Sequence, residues 1–243
     1  FFGRTEVPPT PDCGFARTSH SFSVRSRKRR NATTLRATFG GMAEELVTLV
    51  DGDDHALGTM EKLQAHVEGR LHRAFSVFVF DGAGRLLLQR RSRSKYHSPG
   101  LWSNTCCGHP RPAGPVEVAA TRRLHEEMGF RTLLRPLFRF VYRAEIGPAL
   151  VEDEVVHVLG GRFEGDPPRA RSEVQDWRWM SFPHLGEEVA REPQRFTAWL
   201  RLLLEDDAPL GVDFGRIEPQ AAHPGALDGE RLVPAVGGEG EPV

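Results

Sequence analysis

A thiol and an imidazole two residues apart, Cys107 and His109, lie in the stretch Trp102-Ser103-Asn104-Thr105-Cys106-Cys107-Gly108-His109-Pro110. On an extended chain that spacing turns both side chains to one side. Further imidazoles stand at His66 and His72, and carboxylates at Glu152 and Glu154. The two glutamates alternate within a run holding Val151, Val155 and Val156, so a strand would present both on one face. Three imidazoles and two carboxylates form a mixed nitrogen and oxygen donor set, suited to Mn, Zn or Fe, with Mg also possible. Taken singly, a histidine is more often a packed or surface residue, and alternating glutamates mark a solvated strand face. The apolar neighbours make the solvated face less natural here.

Lys62, Arg91, Lys95 and Arg123 are candidates for an anion site. Arginine suits bidentate phosphate recognition, and lysine supplies a compact charge. For any one of them, ordinary surface charge is the plainer alternative. Glu127 could hold a divalent cation that also binds phosphate oxygens. For proton transfer the candidates are Cys107, Glu154 and Tyr142; a free thiol titrates near about 8.5. Trp199 offers a π face to a cation, or is simply core.

These groups need elements to place them. Leu46–Val50 reads as a strand stopped by Asp51-Gly52-Asp53-Asp54. Phe75–Phe80 is a second strand, with Asp81-Gly82-Ala83-Gly84 as a turn into a hairpin partner at Arg85–Arg90. A helix opens at Pro115 and runs to Met128, where Gly129 caps it. Its Ala120, Leu124 and Met128, spaced by four, face the core. Strands follow at Phe138–Arg143, Val151–Gly160 and Glu173–Ser181. A last helix over Pro193–Leu204 carries Phe196, Trp199, Leu200 and Leu203 on one stripe.

The chain has 243 residues, 39% of them hydrophobic, and a net charge of -1. It can bury a core, and a general nucleic-acid footprint is not expected. No apolar run is long enough to span a membrane. Three cysteines with one adjacent pair make a poor disulfide framework and suit a reduced, intracellular setting. Residues 1–41 hold Arg25, Arg27, Lys28, Arg29 and Arg30 but only Glu6 and Asp12 as acids. They read as a disordered basic leader, either an organellar transit peptide or an upstream extension. The domain is expected over 42–207, followed by a disordered Gly/Pro-rich tail over 208–243.

The helix region resembles a degenerate Nudix box, with Gly108, Arg122, Leu124, Glu126, Glu127, Gly129 and Phe130 in register. Two of its glutamate positions hold Gly114 and Arg123, which weakens the alternative of a Nudix hydrolase acting on a nucleoside or prenyl diphosphate. The wider pattern is similar to type I isopentenyl-diphosphate Δ-isomerases. It comprises Gly58-Thr59-Met60-Glu61-Lys62, Leu71-His72-Arg73-Ala74-Phe75-Ser76, Leu86-Leu87-Leu88-Gln89-Arg90-Arg91, Ser94-Lys95, Pro99 through Pro110, and Glu152-Asp153-Glu154.

The resemblance implies a single α/β (α+β) domain, a Nudix-like mixed sheet flanked by helices. The implied activity interconverts isopentenyl and dimethylallyl diphosphates through a carbocation-like intermediate, in isoprenoid biosynthesis. Cys107, Glu154 and Tyr142 would be catalytic. His66, His72, His109, Glu152 and Glu154 would hold one divalent metal (Mn²⁺, Zn²⁺ or Mg²⁺). Glu127 would help bind the Mg²⁺ that accompanies the diphosphate. Lys62, Arg91, Lys95, Arg123 and Trp199 would bind substrate. His66 is the least secure ligand, because the interval to His72 is short; Gly69 would ease a tight path. The same resemblance implies a cytoplasmic monomer whose partner is the small prenyl diphosphate alone, without nucleic acid or membrane. An organellar location would follow if residues 1–41 are a true transit peptide.

Overall fold

The computed structural model describes residues 45–147, 149–168 and 172–205. In chain order come β1 (Leu46–Val50), β2 (Ala56–Glu61), α1 (Lys62–Glu68), β3 (His72–Phe80), β4 (Leu86–Arg91), β5 (Trp102–Ser103) and β6 (Cys106–Gly108). Then follow α2 (Val116–Met128), β7 (Arg135–Gly147), β8 (Leu150–Arg162), β9 (Val174–Met180), α3 (Phe182–Arg191) and α4 (Ala198–Glu205). Among the described residues nine strands join in one mixed sheet with helices on both faces, which is the expected fold class. The leader and tail expected at 1–41 and 208–243 lie outside the described residues.

β3 is the axis. Its sequence is an almost unbroken apolar run, as a strand covered on both faces requires. Ala74, Phe78 and Phe80 pack on one side with Tyr142, Leu185, Trp199 and Leu200. Phe75, Val77 and Val79 pack on the other with Cys106, Ala120, Leu124 and Met128. β8 runs parallel to β3 from His72↔Glu154 to Phe80↔Arg162. β6 runs antiparallel to it at Phe75↔Gly108, Ser76↔Cys107 and Val77↔Cys106.

The expected hairpin between β3 and β4 holds only at its turn, with Phe80 opposite Leu86. Beyond that pair β4 leaves to join β9 and β5. Side chains of the segment between β5 and β6 span the resulting gap. Thr105 Oγ donates to the Leu87 carbonyl (2.7 Å) and accepts from the Val79 amide (2.9 Å), tying β4 to β3. A polar residue with no exposure thereby satisfies backbone groups that a continuous ladder would otherwise pair.

The helix from Pro115 stands, with Pro115 one position earlier as the extended cap residue, and Gly129 closes it at φ 83. The single helix expected over Pro193–Leu204 is broken. Pro193–Arg195 forms one 3-10 turn, Phe196 is extended against Trp102, and α4 begins at Ala198. The Thr197 amide donates to the Trp102 carbonyl (3.0 Å), a bond that a continuous helix would have spent on itself. Pattern analysis passed over several elements, among them α1, β2, β5 and α3. β2 is an edge strand whose first four residues are exposed, so it shows no alternation. α3 buries Leu185 and Val189, and proline stands in its first turn, a signal that the sequence did carry.

Candidate active site

Register puts the chemistry on one face of the sheet. Residues directly opposite on neighbouring strands share a face. Tyr142 faces Glu154, Glu154 faces His72, and Cys107 faces Ser76, four residues along β3 from His72. β6 and β8 flank β3, so the thiol and the carboxylate reach this face from either side of the central strand. All these residues except His72 line one cavity of about 740 Å³, which also takes in His109, Trp199, Lys62, Arg91, Lys95, Arg123 and Glu127.

Asn104 fixes Cys107. Its Nδ2 donates to the carbonyls of Val77 (3.0 Å) and Cys106 (3.1 Å), which can only accept, so the amide has one orientation. Oδ1 must then face the thiol (3.1 Å) and the Trp199 indole Nε1 (3.1 Å), and it accepts from both. Burial pushes the Cys107 thiol up to about 11, so at neutral pH it carries its proton. Gly108 is required here by closeness: a Cβ would stand 3.0 Å from the Phe75 ring.

The four residues His66, His72, His109 and Glu154 offer ligand atoms that lie within 4.8 Å of one another, and all four are buried. His72 Nδ1 donates to the Arg70 carbonyl (2.7 Å), which leaves the Nε2 lone pair of the neutral ring facing inward. That Nε2 stands 3.2 Å from His109 Nε2, and both approach Glu154 Oε1, at 3.4 and 3.0 Å. His66 Nε2 is buried without a hydrogen-bond partner. Inward lone pairs, an orphaned nitrogen and a shared carboxylate are what a divalent cation would satisfy, so the residues fit the metal their types suggested. The short His66–His72 interval is bridged by Gly69, left-handed at φ 58, which ends α1 and leaves His66 turned inward.

Glu152 lies apart from this group. Its Oε2 accepts from Tyr142 Oη (2.7 Å), which also donates to Glu154 Oε2 (3.0 Å). Burial, then the Glu154 charge, pushes Glu152 up to about 8. Burial also acts to raise Glu154, but the His109 and His72 imidazoles beside it outweigh burial and hold that carboxyl well below the usual range. Burial, then the two glutamates, keeps the Tyr142 phenol protonated.

The basic residues gather on the cavity wall, already engaged with carboxylates. Arg123 contacts Glu127 and Glu173 (2.6 Å), and Lys95 contacts Glu173. Lys62 pairs with Glu45 (2.9 Å). Arg91 is 7% exposed, bonds the Ser98 and His97 carbonyls, and lies 5.2 Å from the Trp199 ring centre. Sequence reasoning missed Asn104, Glu173, Glu45, Tyr96 and His97. Asn104 stood inside a quoted motif and His97 beside one, but each had polar neighbours, Ser103 and Thr105 for the first and Tyr96 and Ser98 for the second, and nothing local set it apart. Glu173 is 78 residues from Lys95 and carried no signal either.

A family model described as NUDIX domain matches residues 70–200. The isopentenyl-diphosphate Delta-isomerase of Burkholderia multivorans is 55% identical over 162 residues, which is 67% of this chain and 92% of that protein. The enzyme of that name from Serratia proteamaculans is 47% identical over 163 residues (67% and 91%). The one from Streptomyces griseus is 44% identical over 182 residues (73% and 91%). A crystal structure of a Deinococcus radiodurans protein superposes with a TM-score of 0.56 at 21% identity, covering 66% of this chain and 97% of that one, and supports the fold. With a domain model matched over more than half of its length and relatives matched over nine-tenths of theirs, the chain belongs to the isopentenyl-diphosphate Δ-isomerase family of Nudix-fold proteins.

Proposed function

We propose that the chain interconverts isopentenyl and dimethylallyl diphosphates, moving one proton onto the alkene and another off it within the cavity. The observation that carries this is the meeting of a protonated thiol, Cys107, with the Tyr142–Glu154 pair in one cavity beside Trp199. An unactivated alkene is a weak base, and its protonation gives a tertiary cation. Walls built from Tyr142, Trp199 and the apolar cluster behind them keep water from trapping that cation. The indole face of Trp199, oriented by Ser103 (3.0 Å) and Asn104, stabilises it.

Cys107 serves one carbon and Glu154, through Tyr142, the other. The reaction is reversible, so each group is the acid in one direction and the base in the other. Lys62, Arg91, Lys95 and Arg123 take the diphosphate, and Glu127 helps hold the Mg²⁺ that accompanies it. His66, His72, His109 and Glu154 would hold a second divalent cation, Mn²⁺, Zn²⁺ or Mg²⁺, with Glu152 as the expected fifth ligand. When bound, it would supply positive charge to offset the Glu154 carboxylate.

The test is incubation of the full chain with isopentenyl diphosphate and Mg²⁺ in D₂O, read by NMR. Deuterated dimethylallyl diphosphate is expected. Release of inorganic phosphate in its place would support the hydrolase reading and overturn this one.

A further inference from the structure

The loop from Ser92 to Gly100 sends three consecutive side chains toward the site. Lys95 goes to the carboxylates Glu173 and Glu127, Tyr96 to His66, and His97 to Glu152, whose Oε1 lies 3.7 Å from His97 Nδ1. The Tyr96 contact is the most directional. Its Oη lies 2.8 Å from His66 Nδ1, and its ring stacks on the imidazole with centroids 6.1 Å apart at 23°. His66 has no exposure, and its other nitrogen, Nε2, points into the donor group without a partner.

A neutral imidazole carries one N–H. If the proton sits on Nε2, a buried donor is left unbonded and aimed at the other two imidazoles, whose ring centres are 5.1 and 5.8 Å away. That arrangement costs a buried donor its hydrogen bond. If the proton sits on Nδ1, it is given to Tyr96 Oη, and Nε2 turns an open lone pair toward the donors of His72, His109 and Glu154. His72 solves the same problem with the Arg70 carbonyl (2.7 Å). His66 sits in the last turn of a short helix, and the oxygen beside its Nδ1 belongs to a residue 30 positions away.

We propose that Tyr96 is a positioning residue that fixes the Nδ1–H tautomer of His66 and thereby completes the divalent-cation site. This rests on the metal reading above. A hydrogen bond to the far nitrogen of a ligating histidine both selects the tautomer and holds the ring plane. The stacked ring alone keeps the plane but leaves the tautomer free, so the oxygen and the ring have separable roles. The loop also carries Lys95, so it joins the cation site to the diphosphate wall through adjacent residues.

The experiment uses the full chain, stripped with a chelator, as wild type and as Tyr96→Phe. Both are titrated with Zn²⁺ and with Mn²⁺ against a chromophoric competitor. Tyr96→Phe is expected to bind about 10–100-fold more weakly. Equal affinity, within about two-fold, overturns the proposal. In parallel, nitrogen-15 imidazole spectra of the metal-free wild type are expected to show His66 protonated on Nδ1, with the tautomers mixed in Tyr96→Phe and His72 unchanged. A wild-type His66 protonated on Nε2 overturns the proposal without any variant, and those spectra decide it should Tyr96→Phe not fold. Wild type that takes up neither metal fails the metal reading itself. Wild type that binds while Tyr96→Phe binds equally fails this proposal alone.

Discussion

Cys106 and Cys107 are neighbours on one short strand and face opposite sides of the same sheet. Cys106 has no exposure and sits among Phe75, Val77, Val79 and Leu124, in the layer under α2. Cys107 turns to the cavity, where Asn104 and Ser76 (3.5 Å) contact its sulfur. The α2 face of β3 is apolar over its whole buried length. The other face changes character along the strand: Phe80 and Phe78 are core, Ser76 meets the thiol, and His72 joins the donor group. The two halves of the molecule thus differ less in composition than in where along one strand the polar groups are admitted. Buried polar groups cost little only when paired, and on this strand Ser76 meets the Cys107 sulfur while His72 bonds the Arg70 carbonyl and turns its other nitrogen toward His109 and Glu154.

The largest expected effect breaks this comparison at its chemical side. Cys107→Ala should lower isomerisation by about 10²–10⁴-fold while leaving the thermal midpoint close to wild type, because the residue opens onto a cavity. Activity assays and a melting curve on the same sample check it. The thiolate fraction adds a pH signature. Burial raises this thiol to about 11, so below that value the reactive form grows about tenfold per pH unit. In the metal-free protein, alkylation of Cys107 should climb steadily through pH 8 to 10; a plateau near pH 8 would contradict the burial assigned here.

Leu124→Ala tests the other side. Leu124 has no exposure and anchors α2 against the sheet. Its truncation should destabilise the fold by about 2–5 kcal/mol. Turnover per folded molecule should be retained at temperatures below the lowered midpoint. Denaturant titration and kcat, measured together, separate the two quantities. Asn104→Ala should come next, at about 1–3 kcal/mol in activation free energy, because it frees both the thiol and the Trp199 indole that Oδ1 holds. The loss should appear in kcat more than in KM, since Asn104 lies away from the basic wall.

Much of this was legible in the sequence where periodicity and chemistry coincide. The apolar run of β3, the four-residue spacing of α2 and the alternation of Glu152 and Glu154 each named an element and its buried face. The donor cluster was legible as a set of residue types, and the fold brings His66, His72, His109 and Glu154 together as expected. What stayed hidden depends on three-dimensional register. That β4 parts from β3 after one pair, leaving Thr105 to bridge them, follows from competition among strands and not from local pattern. Asp54 is a second case. It sits in a turn at φ 73, yet its carboxylate ties Arg73 on β3 (2.7 Å) to His157 on β8 (2.7 Å), 103 residues away in sequence. Glu152 marks the limit of alternation. The pattern chose its face correctly, but only the position of Tyr142 decides that its oxygen bonds the phenol and not the histidine group.

The smallest expected effect is the sharpest control. Cys106→Ala removes one heavy atom from a core position with no exposure, and the cavity left should cost about 1 kcal/mol. Cys106→Ser keeps the volume but sets a hydroxyl among Val77, Leu87 and Leu124, and an unbonded buried hydroxyl costs about 1–3 kcal/mol. Serine should therefore be worse than alanine for stability, although it is the closer mimic of cysteine in shape. Neither should change isomerisation at a temperature where the protein stays folded. The backbone at Val77 and Ser76 is held by the β6 ladder, which does not depend on the Cys106 side chain. Loss of activity with retained stability in Cys106→Ala would mean that this thiol reaches the chemistry, and the division between the two faces would fail. A stability order with alanine below serine would mean that the pocket around Cys106 supplies a polar partner, so that this face is less dry than its residues make it.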